Sequence, residues 1–410
     1  MPELSKSRRK EGGCNNGYQS ICDAWPPTDL LPEAFEPILH RAKADGHAYL
    51  VLDNGKKIAN KVTPEKDRFF LFKEEQPREA YKLNGRPSMS LDHHCEGWGT
   101  VFFAFVLPRI GLNKEDAYAF KAPHPEEVEQ VVIKRLNKSV IKDYLAHGGH
   151  ENPYKEIKML QQLGDGRHVL PIKEALEDDD YIYIVTPFCS EGSLLEAIPF
   201  REGLPEDLAM KLFRNILEIL KYLYLHGICH HDISPDNFFF YNCRLVLSGF
   251  GLSIKIPRKE SDGWYLIKPQ GRFGTFACQA PELFRNKSPF DGAGVDLWSA
   301  VVVLYLMLTG FPLYQLPDAS DIGYLYFVLA DGLQPCLNEQ MVEVMESVCK
   351  TGNEQSHKLM TRVMANLNIS QGAYEVLRNV LVCQPADRWT LLGVLGSEWV
   401  QNGVSGNVET

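Results

Sequence analysis

Asp232 and Asn237 stand five residues apart in His226-Gly227-Ile228-Cys229-His230-His231-Asp232-Ile233-Ser234-Pro235-Asp236-Asn237. A carboxylate can accept a proton, and a carboxamide oxygen can face a hard cation. That spacing alone is common by chance. Other groups of similar competence accompany it in order along the chain. Lys134 ends the apolar run Val131-Val132-Ile133, and Glu156 lies 22 residues further on in Pro153-Tyr154-Lys155-Glu156-Ile157. Gly249-Phe250-Gly251 begins 17 residues after Asp232. Thr275 and Glu282 lie in Gly274-Thr275-Phe276-Ala277-Cys278-Gln279-Ala280-Pro281-Glu282, Asp296 in Gly294-Val295-Asp296-Leu297-Trp298-Ser299, and Arg388 in Pro385-Ala386-Asp387-Arg388-Trp389-Thr390.

The elements that must position these groups are readable from periodicity. Residues 207–226 carry Leu208, Leu212, Ile216, Ile219, Leu220 and Leu223 at helical spacing, which predicts an amphipathic helix running into His226. Ile157, Leu160 and Leu163 predict a second helix, carrying Glu156. Residues 131–134, 169–172 and 181–185 read as strands, the last two separated by an acidic turn at 177–180. Residues 238–247 read as a hairpin turning at Asn242-Cys243-Arg244. Ser193-Leu194-Leu195-Glu196 has the pattern of a reciprocal helix cap. Upstream, residues 31–44 have helical spacing at Leu31, Phe35 and Ile38, while 48–52 and 68–72 read as strands. Residues 108–130 are polar.

With 410 residues and 44% apolar content, the chain can bury a large core. A formal net charge of -10 disfavours a nucleic-acid platform. The ten cysteines are dispersed without a Cys-x-x-Cys, as reduced thiols of a cytoplasmic or nuclear protein would be. The basic N-terminus has no apolar run after it, and the apolar run 300–308 is half a bilayer span. A buried helix and no membrane partner are the expectation.

These stretches resemble the motifs of eukaryotic protein kinases. His230-His231-Asp232 and Asn237 match H-R-D-x-x-x-x-N, Val131-Val132-Ile133-Lys134 matches V-A-I-K, and 274–282 matches the closing A-P-E motif. Thr275 and the Thr309-Gly310-Phe311-Pro312 that follows the Asp296 helix are most similar to the Ser/Thr type and its calcium/calmodulin-dependent branch. The resemblance implies an α+β, two-lobed protein-kinase fold: a small antiparallel-sheet lobe with one main helix, and a large, mostly helical lobe. It places the kinase-like domain at 91–400, with lobes at 91–187 and 188–400. A disordered tail (1–29), an extension or lobe-bracing segment (30–90) and a tail (401–410) flank it, and residues 108–130 are an insertion within it. It further implies ATP and Mg2+ as cofactors and a protein substrate or partner.

Roles follow from the resemblance residue by residue. Asp232 would take the hydroxyl proton, Glu156 would orient Lys134 on the inner phosphates, and Thr275 would contact Asp232. Gly97, Gly99 and Val101 would cover the phosphates; Thr186, Phe188 and Cys189 would form the gatekeeper and hinge beside the adenine. Asn237 would hold metal. His230, Phe250, Leu160 and Ile172 would stack as an apolar column. Glu282 would pair with Arg388, and Asp296 would accept bonds from the backbone near Asp232.

The departures are as informative. Gly249 stands where the family carries a metal-binding Asp, and a glycine ligates nothing. Ser234 replaces the Lys that stabilises the transferring group, and His231 replaces the Arg that anchors a phosphorylated activation segment. Glu96 puts a carboxylate where phosphates should lie. Weakened or absent magnesium binding is therefore expected. Two readings result: a pseudokinase or impaired Ser/Thr kinase acting as scaffold or regulator, and an active Ser/Thr kinase with atypical metal binding.

Overall fold

The computed structural model describes residues 36–45, 49–51, 57–59, 70–73, 78–83, 99–110, 119–121, 128–259, 263–318, 320–324 and 369–402. Gly97, Glu96, the tail 1–29 and residues 325–368 lie outside the described residues. The chain divides into two compact units, one of Pro32–Ala197 with Pro235–Ser253, the other chiefly of Ile198–Ser234 with Ile254–Thr410. The loop bearing Asp232 is itself divided, with Asp232 in the second unit and Asn237 in the first.

Among the described residues, ten strands of the first unit precede its hairpin at 238–247. They are β1 (His40–Asp45), β2 (Tyr49–Val51), β3 (Lys57–Ala59), β4 (Phe70–Lys73), β5 (Glu79–Leu83), β6 (Gly99–Pro108), β7 (Ala119–Lys121), β8 (Gln130–Asn137), β9 (Glu174–Glu177) and β10 (Tyr181–Pro187). The main sheet runs β1-β4-β5-β6-β8-β10-β9, with β2, β3 and β7 forming a small sheet of their own. Its ladders are antiparallel, except that His40 and Arg41 also lie parallel to Leu176 and Glu177. Alternation along the strands sorts side chains by face. Phe102, Ala104, Val106, Val131 and Ile133 join Ala42, Leu71, Tyr81, Leu83, Leu176, Tyr183 and Val185 in one core, while Phe72, Ala80, Leu107 and Phe120 pack separately.

Two expectations change here. Residues 40–44 are strand, not helix: the apolar spacing at 31–44 is overridden by pairing with β4, which buries Ala42. The strand expected at 169–172 is displaced to β9. Val169 itself makes an isolated bridge to Leu247 of the hairpin: Leu170 N donates to Leu247 O, and Leu247 N donates to His168 O, each at 2.9 Å. Residues 30–90 share the main sheet through β1, β4 and β5, and the insertion at 108–130 contributes β7 alongside β2. Two helices complete the main body of this unit, α1 (Lys138–Ala146) and α2 (Pro153–Leu163), and a short α3 (Leu194–Ala197) follows the hinge. Ser193 and Glu196 cap α3 reciprocally, with Ser193 N donating to Glu196 Oε2 at 2.9 Å and Glu196 N to Ser193 Oγ at 3.3 Å. The hairpin 238–247 pairs Phe238–Tyr241 with Arg244–Leu247, and both turn residues, Asn242 and Cys243, are left-handed.

The second unit is helical. Its main elements are α4 (Glu206–Leu225), α5 (Pro281–Arg285), α6 (Gly292–Thr309), α7 (Gln371–Val380), α8 (Leu391–Leu395) and α9 (Glu398–Asn402). The buried face of α4 is Ala209, Met210, Phe213, Ile216, Leu217, Ile219, Leu220, Leu223 and Tyr224. Leu208, expected on that face, is 40% exposed, because the buried stripe starts one residue later. Glu206 at the start of α4 accepts from Trp399 Nε1 at 2.8 Å and from Ser370 N at 3.1 Å, tying the last helices to the first. Helix α6 is 18 residues long and predominantly apolar, with Asp296 its one charged residue, and most of it is buried in this unit, as a central core helix must be.

Candidate functional site

In the first unit, Lys134 is placed by sheet register. Val131 and Ile133 of β8 enter the core, so Lys134, the next residue along, projects from the opposite face, directly across from Val101 on β6. Glu156 arrives from α2, which begins only at Pro153. Asn152 caps that helix, accepting from Tyr154 N at 3.0 Å and Lys155 N at 3.4 Å. The two side chains meet, Nζ to Oε2 at 2.9 Å, with side-chain exposures of 15% and 7%. A buried charge of one sign needs such a partner to avoid the full desolvation cost. Lys155, half-buried beside them, has its pKa lowered by burial. Asn152→Ala is expected to lower unfolding stability by about 1 kcal/mol, read as a denaturant midpoint, with Asn152→Asp retaining it.

Glu151 is a participant that sequence reasoning missed. Its Oε1 lies 3.7 Å from Lys134 Nζ, and a Cβ on Gly251 would come within 2.6 Å of its Cγ. Asn152 N also donates to Gly251 O at 3.2 Å. The start of α2 is thus clasped to the Gly249-Phe250-Gly251 turn. The one sequence signal is position: Glu151 immediately precedes the Asn-Pro helix start. Leu160 and Phe250 are both buried in this unit, and Ile172 is half-buried.

Gly249 is left-handed (φ 79°, ψ 42°). A Cβ there would lie 2.8 Å from Asn237 Cγ and 3.1 Å from its Nδ2, with Oδ1 nearer still. Asn237 is 2% exposed. The hinge follows β10: Phe188 N donates to Gln130 O at 3.2 Å, and the Phe188 and Phe103 rings meet edge-on at 5.0 Å. Thr186, the next-to-last residue of β10, lies opposite Val132. Burial, then Glu191, pushes the Cys189 thiol up to about 12, so it stays protonated at neutral pH.

In the second unit, Asp232 Oδ1 accepts from the backbone N of Thr275 at 2.8 Å. The contact expected of Thr275 is made by its main chain. Gly274 is what lets the chain approach: it is left-handed (φ 87°), and a Cβ would sit 3.1 Å from Asp232 Oδ1 and 3.3 Å from His231 O. Beneath Asp232, Asp296 accepts from His230 N at 2.7 Å and His231 N at 3.0 Å, and Cys229 donates its thiol to the same carboxylate. His231 is left-handed (φ 72°), a strain of about 1–2 kcal/mol for an L-residue. Burial raises Asp296 to about 7, against the lowering effect of the His231 and His230 amides. His230 and Ser234 are fully buried.

The His231 ring is stacked on Phe290 at 5.5 Å and 4°, and meets Phe273 edge-on at 4.8 Å. Phe290 in turn exchanges backbone bonds with Ile267, and Trp264 packs edge-on against Tyr224 at 5.9 Å. Aromatic contacts therefore hold residues 264–273 where an Arg–phosphate latch was expected to be missing. Glu282 and Arg388 form a two-pronged ion pair at 2.6 and 2.7 Å, and the guanidinium lies 4.4 Å over the Trp298 ring.

A helical unit that holds a carboxylate against a Gly-Thr segment, and a sheet unit that holds a Lys–Glu pair, define the protein-kinase class. A sequence profile of the protein kinase domain matches residues 115–400. The chain belongs to the protein kinase domain family, whose fold is two-lobed and α+β and whose members generally use ATP and Mg2+. Among its relatives are calcium-dependent protein kinase 24 of Arabidopsis thaliana, 27% identical over 67% of this chain and 41% of the relative. Calcium-dependent protein kinase 14 of the same plant is 26% identical over 62% and 41%, and calcium-dependent protein kinase 3 of Oryza sativa subsp. japonica 26% over 75% and 49%. The chain spans two-fifths to one-half the length of these relatives. The relationship to the Ser/Thr type and its calcium-dependent branch agrees with the motif reading.

Proposed function

We propose that this chain is a protein-kinase-like signalling protein that holds ATP, binds magnesium weakly or not at all, and works as a pseudokinase or severely impaired Ser/Thr kinase. The observation that carries the reading is a contrast within one unit. Lys134 and Glu156 are paired at 2.9 Å, as a phosphate-binding ammonium requires, while Gly249 brings no carboxylate to Asn237. ATP would be held by Lys134 and by backbone groups at Phe188 and Cys189, with Thr186 beside the base. When bound, magnesium would neutralise phosphate charge; a carboxamide alone is a weak ligand set for a hard cation, so these residues fit that ion poorly.

A second reading has its own support. Asp232 is held by Thr275 N at 2.8 Å, the arrangement a proton acceptor for a substrate hydroxyl would need, and this favours residual Ser/Thr transfer to protein hydroxyls. The deciding experiment is transfer of labelled phosphate from ATP to the chain itself and to a generic basic protein, with magnesium or manganese, beside Asp232→Asn. The impaired reading expects no transfer above the Asp232→Asn level. Transfer at least tenfold above that variant supports the active reading. A thermal shift with ATP separates nucleotide binding from both, and Lys134→Ala is expected to weaken ATP affinity at least tenfold.

A further inference from the structure

We infer that Asn237 and Gly249 are an interlocked pair, the carboxamide standing in the volume that a side chain at 249 would need. This corner of the first unit is then closed to a two-ligand cation site, and returning a carboxylate to position 249 alone does not reopen it. The inference needs neither phosphoryl transfer nor bound nucleotide.

Three observations carry it. A Cβ at Gly249 would meet Asn237 Cγ at 2.8 Å and Nδ2 at 3.1 Å, well inside carbon contact distance. The Asn237 side chain is enclosed, at 2% exposure, so it has no solvent-side position to swing into freely. The two backbones are also pinned to each other. Ser248 N donates to Asn237 O at 2.8 Å, and Phe238 pairs with Leu247 at the base of the hairpin. A side chain at 249 therefore cannot be accommodated by letting the strands part without breaking the ladder. Relief must come from the carboxamide, the one remaining cation ligand of the pair.

The physical consequence differs from that of a simple deletion. If Gly249 had merely lost a carboxylate, the space would stand open and Gly249→Asp would restore the ligand pair. Hard cations need oxygens converging at roughly 2.0–2.6 Å from one point. Here the new carboxylate and the old carboxamide compete for one volume before they can converge on anything.

The test is a double-substitution cycle in the full chain, read by thermal unfolding, together with Mn2+ titration followed by loss of the free-ion spin-resonance signal. Gly249→Ala is expected to lower the unfolding midpoint by about 3–6 °C, as one or two kcal/mol does for a domain of this size. In an Asn237→Ser background, which removes the whole carboxamide, the same substitution is expected to cost less than half as much. Gly249→Asp is expected to raise Mn2+ affinity less than twofold. Equal losses in the two backgrounds overturn the inference, failure of both variants to fold included. So does a Gly249→Ala midpoint within 1 °C of the parent, or a tenfold gain in Mn2+ affinity for Gly249→Asp. If Gly249→Ala alone fails to fold, folding of the Gly249→Ala, Asn237→Ser double variant supports it.

Discussion

Arg388→Ala is expected to destabilise the chain by about 3–5 kcal/mol, the cost of removing one partner of a buried, hydrogen-bonded ion pair. The Arg388 side chain is 4% exposed and that of Glu282 17%. The Arg388 guanidinium makes five contacts at once: two to Glu282, one to Val382 O at 2.6 Å through Nε, one to Cys383 O at 3.4 Å, and one face on Trp298. Truncation strands the Glu282 carboxylate in a site poor in water and opens a cavity against the indole. Arg388→Lys is expected to recover only a minor part, because an ammonium can neither fork to both oxygens nor stack flat on the ring. Chemical denaturation of the three proteins measures this. A loss below about 1 kcal/mol for Arg388→Ala would place the pair among surface bridges in energetic terms.

Asp296→Ala is the second large effect. It removes the acceptor of two buried backbone N–H groups, those of His230 and His231, each of which costs about 1–3 kcal/mol when left unsatisfied. The expected loss is therefore about 2–6 kcal/mol. The loop bearing Asp232 should loosen with it, visible as faster hydrogen exchange at residues 229–232. Asp296 also sets a pH dependence. Its pKa is raised above the ordinary carboxylate range to about 7, so the folded chain holds this proton more tightly than the unfolded chain does. The stabilisation is fully present below the ordinary carboxylate range and is lost as pH rises towards and through about 7. Denaturation midpoints measured from pH 5 to 8 should fall with pH in the parent, and Asp296→Asn should flatten that slope. A parent whose stability rises across this range, with the same slope in Asp296→Asn, would show that burial does not govern this carboxylate.

The local devices were legible because their physics is local. The Ser193–Glu196 cap, the Asn242-Cys243 turn and the long helix into His226 each depend on a few neighbouring residues. The pairings of Lys134 with Glu156, Asp296 with the backbone at 230–231, and Glu282 with Arg388 could be anticipated only through the resemblance. Nothing in spacing alone joins residues that lie 106 apart. Periodicity without a pairing partner does not decide between helix and strand. The helical spacing at 31–44 yielded to β1, and the apolar run at 169–172 yielded to β9, because strand formation is decided by what lies alongside.

By itself, then, the sequence determined the family, the order of its chemical groups and the loss of a carboxylate at Gly249, since residue identity needs no coordinates. Only the tertiary structure decided what that loss means in space. It brought Asn237 into the volume beside Gly249, laid Glu151 over Gly251, and turned His231 onto Phe290, none of which spacing encodes. The physical reason is that a side chain's free volume and its ring partners are set by packing between segments distant in the chain, and a glycine's vacancy is filled by whichever neighbour the fold has pinned beside it.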